Sequence, residues 1–498
     1  MLTRREILKL GLLSSSALVL PLKRASAGMG VAHHRMRGGM MGDGQISSPR
    51  AVPFQVPLLI PPVLSPEDAD STTDYYQVTM QETQVQILPG LTTIWGYNGL
   101  FPGPTIRAKT GRTVVVRQAN NLAVRTSVHL HGGHVAPEMD GHPTDLIEPG
   151  AYKDYVYPNN QIASTLWYHD HALGITATNV YMGLAGFYLI EDDVEASLNL
   201  PNGNYDVPLA IQDRLFNPDG SFYYPPFTYA TLMNGVLGDT VLVNGAVQPY
   251  FQVANRKYRF RILNGSNARE YELALSSGQS FVQIATEGGL LPEPVTRSTI
   301  LVAPGERVEV IIDFSPYAMG SQVILKNLLG VGSTADVMRF DVVGEEEDTS
   351  SIPSSLRDFD ILSLASATRD FRLSFDWMRG LWVINGNPFD PARIDATPRL
   401  GTMEIWRFNN HSTMAHPMHI HNVMFQILDR DGVRPNAGEA GWKDTVRVGP
   451  WESVRVIAKF TDYTGIYVFH CHNLEHEDHM MMGQFQVVQD EVRTGQVR

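Results

Sequence analysis

Apolar and polar residues alternate along many short stretches of the chain, as at 113–117, 257–263 and 453–459, and Gly, Pro and Asn interrupt the pattern between them. A period of two puts every second side chain on one face, which predicts strands with one buried side joined by tight turns. The interruptions themselves repeat. Asn98-Gly99 with Pro102 and Asn120 is echoed by Asn244-Gly245 with Pro249 and Asn264, and again by Asn385-Gly386 with Pro388 and Asn409. A later part of each unit echoes too: Glu148-Pro149-Gly150, then Ala303-Pro304-Gly305-Glu306, then Gly449-Pro450-Trp451-Glu452. Three related β units follow. Two-layer Greek-key sandwiches are their natural architecture, so the expected class is all-β. The units are expected at 51–195, 196–343 and 365–498, with the acidic, serine-rich stretch 344–364 as an exposed linker.

A length of 498 residues exceeds what one hydrophobic core fills, in keeping with several domains. Forty-three Gly and 31 Pro beside a charged fraction of 18% suit many short strands better than a helical bundle. The net charge of −13 argues against nucleic acid as a partner. Residues 1–27 carry Arg4-Arg5, an apolar run and Ala25-Ser26-Ala27, the pattern of a twin-arginine export signal. The run is too short to span a bilayer, so the expectation is a periplasmic or secreted protein with no stable membrane association. Residues 28–50 mix Met29, Met36, Met40, Met41, His33 and His34 with glycines, a composition expected to be a plain flexible tail, with copper capture by its thioethers and imidazoles as the alternative. Cys471 is the single cysteine, so no intramolecular disulfide exists and the thiol needs a chemical task.

That task emerges from the histidines. Ten of the 16 fall in four tight groups: His129-Leu130-His131, His169-Asp170-His171, His416-Pro417-Met418-His419-Ile420-His421, and His470-Cys471-His472 followed by His476. Residues two apart on a strand share a face, so each His-x-His pair aims two imidazoles at one place. Four pairs supply eight nitrogen ligands, more than one metal uses; a cluster of three coppers between domains would use them, with zinc or iron as competitors. Cys471, between His470 and His472, points to the opposite face and belongs to another metal. With His416 and His476 it makes the trigonal two-His, one-Cys set of a blue copper site, for which Met481 is the weak axial candidate. An electron arriving there could leave through the Cys471 sulfur into its two histidine neighbours.

These four motifs, with Trp167-Tyr168 before His169 and Asn473-Leu474-Glu475 before His476, resemble the multicopper oxidases, and within them the bacterial spore-coat laccases and the bilirubin oxidases. The resemblance implies three cupredoxin domains with a trinuclear cluster between the first and third, the middle one being a bridge without metal. It implies four copper ions: type 1 on His416, Cys471, His476 and Met481; type 2 on His129 and His419; and two type 3 on His131, His169, His171, His421, His470 and His472. It also implies one-electron oxidation of phenols or aromatic amines coupled to reduction of dioxygen to water. Asp140 and Glu477 match acidic positions that relay protons in the family. Oxidation of Cu(I) or Fe(II) in copper tolerance is the alternative reductant chemistry, and a metal-free scaffold is the alternative of another class. A monomer is expected, since one chain can supply every ligand.

Overall fold

The computed structural model describes residues 47–489. The expected export signal, and all but the last few residues of the Met/His-rich segment, lie outside them. Six β-sheets pair into three sandwiches. In the first, Thr73–Val85 lies between Asp68–Ala69 and Thr113–Asn120, with Tyr152–Tyr157 beyond; the facing sheet runs Gly103–Lys109, Ala185–Glu191, Ser164–Asp170, Val128–His131. The middle sandwich has a seven-stranded and a five-stranded sheet. In the third, the outer sheet is Leu381–Ile384, Ala367–Asp376, Met403–Asn410, Ser453–Lys459, Phe425–Arg430, and the inner one is Thr445–Val448, His416–Ile420, Gly465–Cys471, Met482–Val487.

Each core is filled from both of its sheets, as the alternation predicted: Val78 and Val114 meet Leu130 and Leu166 in the first, Phe260 meets Phe340 in the second, and Phe371 and Trp406 meet Phe469 and Phe485 in the third. Each such side chain contributes about 1.5–3 kcal/mol relative to exposure. The repeat seen in the sequence is a repeat of turns. Asn98-Gly99, Asn244-Gly245 and Asn385-Gly386 all have positive φ at both residues, and each Asn Oδ1 accepts a backbone N–H from a neighbouring strand, that of Thr79, Ala210 or Arg372. Each unit also pairs two strands in parallel, Thr73–Val85 with Thr113–Asn120, Asp206–Arg214 with Lys257–Asn264, and Ala367–Asp376 with Met403–Asn410.

Two expectations need correction. The third counterpart of Asn120 and Asn264 is Asn410, not Asn409. The Nδ2 groups of Asn120, Asn264 and Asn410 each donate to two or more carbonyls at the base of the site loops, whereas Asn409 faces outward and accepts from Ser453 Oγ. The segment 344–364 is not exposed throughout. Leu356 is buried with Leu200, Ile284 and Ile311 of the middle domain, Ile352 packs on the same cluster, and Arg357 holds Asp192. Its polar composition hid these few apolar anchors. No helix among the described residues is long and apolar enough to cross a membrane.

Candidate metal centres

Four strands and one short helix build the site. Val128–His131 pairs antiparallel with Ser164–Asp170, placing His129 opposite His169. His416–Ile420 pairs antiparallel with Gly465–Cys471, placing His419 opposite His470 and Met418 opposite Cys471. Strand alternation then sorts the side chains: His419 and His470 face the first domain, while His416, Met418 and Cys471 face the core of the third. Asn473 caps the helix Leu474–Asp478 by accepting from His476 N–H, and this turn brings His476 back beside Cys471. All ten histidines of the four groups are buried.

Two centres result. At the first, His416 Nδ1 and His476 Nδ1 lie 3.3 Å apart and 3.4 and 3.6 Å from Cys471 Sγ. Met481 is buried in the same cluster as Cys471, whereas Met482 packs with Phe389 and Val468. At the second, His129 Nε2 is 3.3 Å from His419 Nε2; His171 and His421 Nε2 lie 3.1 and 3.2 Å from His470 Nε2; and His131 Nδ1 lies 3.4 Å from His169 Nε2. The ring of His472 lies 4.9 Å from that of His131 and 5.3 Å from that of His169.

The outward nitrogens settle which inward atoms carry protons. A carbonyl or carboxylate only accepts, so a ring nitrogen bonded to one must donate. His129 Nδ1–H donates to the Asp140 carbonyl (2.6 Å), His419 Nδ1–H to the Asp444 carbonyl (2.8 Å) and His421 Nδ1–H to Asp140 Oδ2 (2.7 Å). His470 Nδ1 lies 3.2 Å from the Cys471 carbonyl and 3.0 Å from Glu477 Oε2, and His476 Nε2–H donates to the Met233 carbonyl (3.1 Å). The inward nitrogens of these rings are therefore bare lone pairs facing one another within about van der Waals distance. That arrangement repels unless cations lie among them. Both nitrogens of His472 lack a protein partner as well. Burial holds His131, His169, His416, His419 and His421 well below the usual imidazole range, and His171, His472 and His476 down to about 3, so all stay neutral and ligand-ready. Burial pushes the Cys471 thiol up, so its ionisation needs a cation beside it. Imidazoles with one thiolate on separate faces suit copper.

The surroundings include residues that sequence reasoning did not find. Asp444 Oδ1 accepts from His131 Nε2–H (3.0 Å), and Arg307 of the middle domain grips that carboxylate. Ser412 Oγ lies 3.0 Å from His416 Nε2, and Trp382 packs on both His416 and His476. Gly305, at φ +82°, sits so close to His472 that a Cβ there would fall 2.8 Å from the ring. The middle domain thus bridges, as expected, but also shapes both centres. Asp170, between two of the histidines, turns away and accepts from Ser127 N, Ala172 N and Asn179 Nδ2. Of the histidines outside the groups, His134 joins Asn422 O to Asp462, His142 contacts Gln484 and His479 stacks on Phe227.

Models of the multicopper oxidase family match residues 79–195, 205–333 and 359–491, one for each sandwich. A laccase of Bacillus subtilis is 39% identical over 85% of this chain and 96% of its own length. A bilirubin oxidase of Albifimbria verrucaria is 39% identical over 88% of this chain and 82% of its own. The crystal structure of a laccase from Pediococcus acidilactici superposes with a TM-score of 0.83 at 36% identity, covering 90% of this chain and 96% of that one. The chain belongs to the multicopper oxidase family. It is a laccase-like, copper-dependent oxidoreductase that passes electrons from small reductants to dioxygen, with a His-Cys-His copper site and a trinuclear copper site.

Proposed function

We propose that phenols and aromatic amines are the electron donors, entering beside His416. The observation that carries this reading is a cavity of about 250 Å³ whose lining includes Ala415 and Pro417 on either side of His416, together with Met414, Leu237, Arg269 and Glu270. Apolar walls with one cation and one carboxylate suit a small ring bearing a hydroxyl or amine. His416, Cys471, His476 and Met481 would hold the type 1 copper; His129 and His419 the type 2 copper; His131, His169 and His472 one type 3 copper; and His171, His421 and His470 the other. Bound copper supplies one-electron oxidation at the thiolate site and four-electron reduction of dioxygen at the cluster.

The protein's own part is to hold ligands and move protons. Cys471 faces one centre while its neighbours His470 and His472 face the other, so a single backbone links donor oxidation to dioxygen reduction. Asp140 fixes two rings at once, through its carbonyl to His129 and through Oδ2 to His421. Its Oδ1 is buried without a partner and lies 3.5 Å from His129 Nδ1, which leaves it free to take up and release a proton at the cluster wall. Glu477 stands between His470 and His171, with Oε1 3.5 Å from His171 Nδ1. Burial would raise its carboxyl, but the surrounding imidazoles outweigh that and hold it down to about 2 in the copper-free chain. Asp140 and Glu477 are the proposed proton relay.

The leader supports export by the twin-arginine route, which carries folded proteins and so suits a chain loaded with copper beforehand, to a periplasmic or secreted location. One chain supplies all the ligands, which supports a monomer. Oxygen uptake by the copper-loaded chain, followed in parallel with a simple phenol, Cu(I) and Fe(II), tests the donor class. Phenol-driven uptake is expected; uptake driven by the metal ions alone would replace this reading with a metallo-oxidase.

A further inference from the structure

We propose that the exposed indole of Trp377 is a second electron-entry site, at which aromatic donors too large for the cavity beside His416 deliver electrons along Phe375 and Trp382. The inference rests on the phenol-oxidase reading above and extends it to polymeric or surface-bound phenols.

The rings form an unbroken series. Trp377 is 72% exposed at the tip of the hairpin joining Ala367–Asp376 to Leu381–Ile384. Its ring centre lies 4.8 Å from that of Phe375, which lies 5.0 Å from that of Trp382. Trp382 is fully buried, and its ring lies 4.7 Å from His416 and 4.6 Å from His476, both ligands of the thiolate centre. All four separations fall within ordinary aromatic contact.

A single exposed tryptophan is unremarkable, and the hairpin has no need of this one. Asp376 Oδ1 accepts from Met378 N and Arg379 N, and Gly380 supplies the positive φ, so the turn is complete without the indole. Neighbouring Met378 is 96% exposed, which leaves a small apolar tip on which a flat ring can stack. The direct approach to His476, in contrast, is closed. That ring is fully buried and donates to the Met233 carbonyl, while Trp382 Nε1–H donates to the Leu232 carbonyl. Both carbonyls belong to the helix Tyr229–Asn234, which therefore covers the centre. A donor bound to a polymer can neither enter a cavity of about 250 Å³ nor reach beneath that helix.

The step balances. A phenol stacked on Trp377 loses one electron along the three rings toward His416 and His476, and its hydroxyl proton to water, leaving a phenoxyl radical. Four such electrons and four protons convert one dioxygen, the family's oxidant, into two waters. The rings are unchanged at the end, with Phe375 narrowing the gap between the two indoles without itself being oxidised.

The test uses the copper-loaded full chain, a methoxyphenol coupled to high-molecular-mass dextran, and the same phenol free. One readout is the anaerobic rate at which each donor bleaches the thiolate-to-copper band; the other is retention of the copper-free chain on the phenol-dextran. Trp377→Ala should slow bleaching by phenol-dextran about tenfold or more, keep the free phenol within about twofold of wild type, and weaken retention. Phe375→Leu, which preserves bulk, should slow bleaching by phenol-dextran severalfold and leave retention unchanged. Equal effects of Trp377→Ala on both donors, or none on either, would overturn the entry site; normal bleaching by phenol-dextran in Phe375→Leu would overturn the relay. If free phenol bleaches the wild type, such failures fall on this inference alone, whereas no bleaching by free phenol would overturn the donor reading and this inference with it.

Discussion

Arg307 of the middle domain grips Asp444 of the third through a two-pronged ion pair, Nη1 to Oδ1 at 2.8 Å and Nη2 to Oδ2 at 2.5 Å, with both residues buried. Asp444 Oδ1 also accepts from His131 of the first domain, the Asp444 carbonyl accepts from His419, and Arg307 Nε–H donates to the Thr165 carbonyl. One carboxylate therefore joins three domains at the wall of the trinuclear centre. The guanidinium matches it with a planar fork that a lysine would not reproduce.

Replacing Arg307 by Met should strand that carboxylate. Removing one partner of a buried pair costs about 3–5 kcal/mol, and Asp444 would then turn from His131. The expected outcome is a lower unfolding temperature and loss of copper from the cluster before the thiolate site. Metal analysis together with the type 2 paramagnetic signal checks this. An intact type 2 signal and full copper content in the variant would refute the link.

Cys471→Ser separates the two centres chemically. The hydroxyl stays neutral where the thiolate would ionise, so the mononuclear site should lose its intense band and its metal, while the histidines facing the first domain keep theirs, about three coppers per chain. Dioxygen reduction driven by organic donors should stop. Retention of a strong visible thiolate-like band in this variant would mean that the sulfur is not the chromophore.

Much of this was legible in the sequence because it is periodic. The Asn-Gly turns, the His-x-His pairs and the inverted position of Cys471 between two histidines all follow from strand alternation, which acts within a few residues. Asp444, Arg307 and Met233 left no such signal, since each gains its role from domains that meet only after folding, and Trp382 reaches His416 from the facing sheet of its own domain, beyond the range of strand alternation. Arg307 directly follows the echoed stretch Ala303-Pro304-Gly305-Glu306, so its place in the repeat explains the residue as a strand opener and hides its contact with Asp444. The shift from Asn409 to Asn410 has a similar origin: two adjacent asparagines are indistinguishable until the strand register decides which one faces inward.

Asp140→Asn isolates proton delivery from ligand orientation. The amide oxygen can still accept from His421 Nδ1–H, and the backbone carbonyl still serves His129, so the rings should stay in place. What disappears is a group able to exchange a proton. Turnover with dioxygen should fall by about 10²-fold or more and its pH profile should move, whereas anaerobic reduction of the thiolate centre should keep its rate. Stopped-flow bleaching set beside oxygen uptake distinguishes the two. Unchanged turnover across pH would leave Asp140 a structural residue.

Copper removal should make the fold acid-sensitive. In the copper-free chain burial holds His171, His472 and His476 near an apparent pKa of about 3, with His131, His169, His416, His419 and His421 also well below the ordinary value of 6.5. These are depressed values, so between the folded and unfolded pKa the unfolded chain binds more protons, and stability present above about pH 6.5 is lost as the pH falls. At pH 5 each such histidine costs about 2 kcal/mol, and several together approach the ~5–15 kcal/mol that holds a typical domain. Copper opposes this loss because bound imidazoles stay deprotonated until the metal is displaced. Urea midpoints at pH 7.5, 6 and 5 should therefore fall steeply for the chelator-treated protein and much less for the loaded one. Parallel midpoints in the two forms would show that the buried imidazoles titrate freely, and that burial alone does not keep them poised as ligands.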